Sequence, residues 1–115
     1  MEGMDEAEVL QAQIADVPSS LDDSVILLDV REDDEWAAGH APGATHVALS
    51  RLTPDVVPSG TTVLCICRSG GRSGKAADAL RRVGIDAVNV AGGMSAWAAA
   101  GLPVLRSDGR PGTVI

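Results

Sequence analysis

The chain has 115 residues, enough for one domain and too few for two. Apolar residues make up 45% of it, with 17 Ala, 13 Val, 10 Leu and 5 Ile but only two Trp and no Phe or Tyr; a small-aliphatic core is expected, and recognition of single-stranded nucleic acid by base stacking is excluded. Nine basic against sixteen acidic residues give a net charge of −7, which disfavours a polyanion partner.

In chain order, residues 1–10 read as an acidic, loosely held N-terminus, residues 11–105 as the folded domain and residues 106–115 as a C-terminal tail. Gln11 to Val17 alternates and stops at Pro18, which predicts a short edge strand. Ser24 to Val30 and Thr61 to Cys67 are continuous apolar runs, and Asp86 to Val90 is a shorter one. Runs without alternation predict strands covered on both faces, as in a parallel sheet. Asp33 to Ala38 predicts a short helix stopped by Gly39. Ser73 to Val83 predicts the longest helix, with Ala76, Ala77, Leu80 and Val83 on the buried stripe and Gly84 as the stop. Ser95 to Ala100 predicts a third helix, closed by Gly101 and Pro103. Arg106 to Ile115 reads as an extended terminus free to move. Strands alternating with helices make an α/β domain.

The charge is unevenly spread. Residues 1–35 hold 12 acids and one base, Arg31, whereas residues 36–115 hold 8 bases and 4 acids, which leaves room for a small anion in the second part. No apolar run approaches the length of a bilayer span, and Met1 to Asp5 lack the basic and hydrophobic regions of a secretory signal, so a cytoplasmic protein with no membrane partner is expected. Two cysteines, Cys65 and Cys67, are too few for a disulfide framework or a structural zinc, and no metal, nucleotide or flavin is implied.

The chemistry concentrates in Cys67-Arg68-Ser69-Gly70-Gly71-Arg72-Ser73. This stretch joins the strongest strand to the strongest helix, where α/β folds place ligands. Gly70 and Gly71 let the backbone curl so that several N–H groups face one concavity. The helix N-terminus, Arg68 and Arg72 add positive charge. A sulfur at the mouth of that cup is held as thiolate below the free value of about 8.5. A pre-ionised thiolate needs no base when the leaving group is a stable anion; attack on the outer sulfur of thiosulfate, expelling sulfite, is such a case, and attack on phosphorus, with the leaving oxygen protonated by an acid, is another. Ser73 reads equally as a helix N-cap or a ligand. Cys65, between Leu64 and Ile66, reads as core. Glu32 to Glu35 reads as a solvated charge run, His40 and His46 as loop hydrogen-bonding residues, and Trp36 and Trp97 as packing anchors. Ser69 to Ala76 fails the nucleotide P-loop pattern at both ends.

The chain resembles a single-domain rhodanese over about residues 11–105. The resemblance rests on Leu27-Leu28-Asp29-Val30-Arg31-Glu32, on Glu35-Trp36-Ala37-Ala38-Gly39-His40-Ala41-Pro42-Gly43-Ala44 and on the Cys67–Ser73 loop. Val90-Ala91-Gly92-Gly93-Met94-Ser95-Ala96-Trp97 and Gly101-Leu102-Pro103-Val104 complete it. It implies a five-stranded, mostly parallel sheet flanked by helices. It makes Cys67 a sulfur acceptor that forms a persulfide, and the backbone from Arg68 to Arg72 the cradle for an anionic, thiosulfate-like donor. Asp29 and Arg31 become structural supports. A thiol or cyanide is the implied acceptor. A sulfur carrier working with a relay protein and a non-catalytic binding module are the alternatives. A Cys-loop phosphatase or arsenate reductase is disfavoured, because its loop places Arg six positions after Cys, where this chain has Ser73.

Overall fold

Strands form where the aliphatic runs fall. The computed structural model describes residues 10–115, so the loosely held terminus expected over residues 1–10 lies, apart from Leu10, outside the described residues. The strands are β1 (Gln11–Ala12), β2 (Val25–Asp29), β3 (Thr45–His46), β4 (Thr62–Ile66) and β5 (Ala87–Val90). They form one sheet in the order β1-β5-β4-β2-β3, and every pairing is parallel. The helices are α1 (Asp33–Ala38), α2 (Gly71–Arg82) and α3 (Gly93–Ala99).

The sheet is covered on both sides, which is why its central strands show no alternation. Leu28, Val63 and Cys65 pack on one face against Ala76, Ala77 and Leu80 of α2. Leu27, Leu64 and Ile66 pack on the other against Met94 and Trp97 of α3. Alanines at the α2 contact let helix and sheet approach closely, consistent with a core that holds no Phe or Tyr. On the α3 face, an apolar groove of about 1020 Å³ opens between Ile14, Leu21, Trp97 and Leu102. It is lined by none of the predicted site residues.

Three expectations are corrected, and one strand forms where the sequence pattern gives no signal. The edge strand stops at Ala12, because the Asp16 carboxylate accepts the Gln13 N–H at 2.8 Å and turns Ile14–Asp16 into a 3-10 helix. β3 has only two residues and shows no periodicity; its pairing with Leu28 and Asp29 creates it. Helix α2 begins at Gly71 rather than Ser73, and Val83 lies beyond its end, 59% exposed, not on the buried stripe. The tail is docked. His40 and Leu105 exchange backbone hydrogen bonds at 2.8 and 2.9 Å, and the Gly112 and Thr113 N–H groups bond Val104 and Ala38 carbonyls at 2.8 and 2.9 Å. Val114 packs against the α3-side core. Among the described residues, no helix is long and apolar enough to cross a membrane.

Candidate active site

The C-terminal ends of β2, β4 and β5 converge, and each delivers one part of the site. β4 delivers Cys67 directly after its last residue, Ile66. The Gly70 N–H reaches the Cys67 Sγ at 3.1 Å and the Ser73 hydroxyl reaches it at 3.2 Å. Gly70 achieves this at φ +111°, a left-handed conformation costly for a residue with a Cβ. Burial pushes the Cys67 thiol up, but the Ser73 hydroxyl and the backbone N–H groups of Ser73, Gly70 and Ser69 outweigh it and leave the thiol below its ordinary value. The expected cup holds the sulfur out of solvent: Cys67 is 1% exposed.

β5 and α3 aim the loop. The α3 N–H groups of Met94 and Ser95 bond the carbonyls of Cys67 and Arg68 at 2.7 and 2.9 Å. In a trans peptide the N–H points opposite to its C=O. Holding the Arg68 carbonyl in this way turns the Ser69 N–H toward the sulfur, whose charged form it favours. A Cβ on Gly93 (φ +58°) would lie 2.3 Å from the Cys67 carbonyl oxygen and 2.7 Å from the Arg68 carbonyl carbon. Gly93→Ala is expected to destabilise the fold by on the order of 3 kcal/mol through overpacking and left-handed strain, read as a lower urea midpoint. A midpoint equal to wild type would show that the contact relaxes freely.

Asn89, on β5, was not singled out by sequence. It is buried behind the loop, and its amide N–H₂ donates to the Gly70 carbonyl at 3.1 Å and to Gln11 Oε1 at 3.0 Å. Its oxygen is thereby turned to Ser73, 2.6 Å away. The Ser73 hydroxyl has one proton and two takers, Asn89 Oδ1 and Cys67 Sγ. It can give the proton to Asn89 while accepting the thiol S–H, and turn it to the sulfur once the thiol ionises.

β2 supplies a buried ion pair. Arg31 Nε and Nη2 bond the Asp29 carboxylate at 2.8–3.0 Å, and Nη2 also bonds the Gly39 carbonyl at 2.8 Å. Both side chains are fully buried, and Arg31 Nη1 has no partner. The pair ties the end of β2 to the turn after α1.

The remaining predicted residues divide. Arg68 and Ser69 are exposed, and Arg68 Nε donates to the Ile115 carbonyl at 2.9 Å. Gly71 is the first residue of α2. Arg72 does not stand free for an anion: its guanidinium is gripped by both carboxylate oxygens of Glu35 at 2.6 and 2.8 Å. The Arg72 hydrogen bond holds the Glu35 carboxyl well below the usual carboxylate range, down to about 2. Glu35 belongs to the charge run Glu32 to Glu35 that reads as a solvated face, yet its side chain is 13% exposed. Its signal was the spacing Glu32-x-x-Glu35, a capping box at the start of α1 that turns Glu35 toward the loop. His40 and His46 stack on either side of Trp36, with centroids 3.5 and 4.8 Å away, and bond the carbonyls of Trp36 and Arg31 at 2.8 and 2.7 Å.

Cys65 shares the α2-side core with Cys67 and is equally buried, but burial pushes the Cys65 thiol up to about 12, whereas the loop hydrogen bonds hold the Cys67 thiol down. Alkylation with iodoacetamide near neutral pH is therefore expected to add a single adduct, at Cys67. In Ser73→Ala the rate at pH 7 should fall about tenfold, as one hydrogen bond to the charged form is lost. Two adducts, or an unchanged Ser73→Ala rate, would contradict this assignment.

The fold and the site define an α/β domain whose central strand ends in a hydrogen-bonded cysteine loop. The sequence comparisons fix the family: residues 7–100 match the model of the rhodanese-like domain, and the chain belongs to that family. A protein of Allochromatium vinosum named sulfurtransferase is 34% identical over 108 residues, 90% of this chain and 95% of the relative. A Bacillus subtilis protein named putative sulfur carrier protein YrkF is 35% identical over 79 residues, 66% of this chain and 43% of the relative. A crystal structure of a rhodanese-like domain protein from Staphylococcus aureus superimposes with a TM-score of 0.66 at 33% identity, covering 76% of this chain and 90% of that one. The chain spans about half the length of two of the curated relatives it matches.

Proposed function

We propose that this chain is a sulfurtransferase that carries sulfane sulfur on Cys67. The observation that carries the reading is the buried Cys67 sulfur receiving the Gly70 N–H and the Ser73 O–H, which favours the thiolate. Membership of the rhodanese-like family and the relative named sulfurtransferase support it. In the first half-reaction the Cys67 thiolate attacks the outer sulfur of a donor. A bond forms between Sγ and that sulfur; the bond to the donor's inner sulfur breaks, and its electron pair leaves with the donor, as sulfite when thiosulfate reacts. In the second half-reaction cyanide or a thiolate attacks the terminal sulfur of the Cys67 persulfide and frees the Cys67 thiolate. Thiocyanate or a new persulfide is the product. The N–H groups of Ser69, Gly70 and Ser73 hold the negative charge at the sulfur, and Asp29 with Arg31 steadies the end of β2 beside the loop.

Intact mass after mixing with thiosulfate tests this. A gain of one sulfur atom that cyanide reverses is expected; no gain with any sulfane-sulfur donor would end the reading. A second reading, a relay that receives sulfur as a persulfide from a partner, is favoured by the Glu35 grip on Arg72, which removes a free cation from the site. The relative named putative sulfur carrier protein is consistent with it.

A further inference from the structure

The charges around Cys67 do not add up to a cationic pocket. Arg72 lies close enough to the Cys67 sulfur to interact with its charge, but it is also paired with Glu35. Glu35 is the better buried member of the pair, its side chain 13% exposed against 34% for Arg72, so the pair is poorly screened and persistent. Arg68, the other loop cation, is exposed and anchored at Ile115. Asp29 and Arg31 cancel each other in the core.

Beyond the loop N–H groups, a donor must therefore bring its sulfur to a thiolate with little net help from charged side chains. Thiosulfate carries two negative charges, and its attack by a thiolate gathers three at one point. A persulfide, R–S–SH or R–S–S⁻, gathers one or two, and the leaving group is the thiolate R–S⁻. The balance differs only in charge: the same S–S bond forms and the same kind of S–S bond breaks.

Resting on the sulfurtransferase reading above, we propose that Glu35 is a specificity-determining residue: by neutralising Arg72 it disfavours dianionic thiosulfate and favours persulfide donors. Glu35→Gln is the direct test, because Gln keeps the oxygen that accepts the Glu32 N–H and so keeps the α1 capping box. The probes are thiosulfate and cysteine persulfide, and the readout is the ratio of their kcat/KM values. Freeing the Arg72 charge is expected to raise the thiosulfate-to-persulfide ratio about tenfold. The double variant Glu35→Gln with Arg72→Gln restores a neutral pair and should return the ratio to the wild-type range. In the wild type, raising ionic strength from about 20 to about 200 mM should increase kcat/KM for thiosulfate, since salt screens repulsion. This last measurement needs no variant to fold. An unchanged or lower ratio in Glu35→Gln, a double variant that keeps the raised ratio, or a wild-type thiosulfate rate that falls with salt would each overturn the proposal. Failure of the underlying sulfurtransferase reading looks different: neither donor then adds sulfur to the wild-type chain.

Discussion

In Cys67→Ser, sulfur loading is expected to disappear and turnover with any sulfane-sulfur donor to fall by at least about a thousandfold. A serine hydroxyl at that position receives the same Gly70 and Ser73 hydrogen bonds, so the loop should keep its shape. What is lost is the nucleophile: an alcohol stays protonated near neutral pH, and its oxygen does not form a chain of sulfurs. The informative comparison is Cys65→Ala, two residues away on the same face of the sheet. That variant should still gain one sulfur atom by intact mass, because the Cys65 thiol is held at about 12 and stays protonated near neutral pH. If Cys67→Ser still loads sulfur, or Cys65→Ala does not, the sulfur is on the wrong cysteine and the mechanism falls with it.

Asp29→Ala should cost stability on the order of 3–5 kcal/mol, the usual penalty for stranding one member of a buried ion pair. Arg31 makes three side-chain contacts to that carboxylate, is fully buried, and already has one nitrogen without a partner. Losing Asp29 leaves a guanidinium in the core with only the Gly39 carbonyl. Small domains are stable by roughly 5–15 kcal/mol, so the variant should sit close to unfolding at ambient temperature. The urea midpoint measures it. Replacing both partners, with Asp29→Asn and Arg31→Met, should recover much of the loss, because no charge is then buried. A loss below about 1 kcal/mol in Asp29→Ala would show that water reaches Arg31 and that the pair does not hold the end of β2.

The strain and charge that shape this site come from contacts of very different reach. The Glu32–Glu35 capping box spans three residues and is written in α1 itself. The grip of Glu35 on Arg72 spans 37 residues and exists only because β2 and β4 are neighbours in the sheet. Its contribution to stability is present above the ordinary glutamate value of 4.5, since the folded carboxyl is depressed to about 2, and it fades as pH falls between the two.

The residue pattern alone determined the α/β class, the extent of α1, the three longer strands and the position of Cys67 at a strand-to-helix junction. These are local matters: hydrophobic runs, glycine stops and a chain that must curl between two regular elements. Tertiary structure decided the rest. It turned a supposed tail into a docked edge, put Asn89 behind Ser73, and aimed the loop peptides through α3. It also paired Arg72 with Glu35. The physical reason is that hydrogen bonds and ion pairs act over a few ångströms through space. Which groups come that close is set by strand order and packing, which no short stretch of sequence contains.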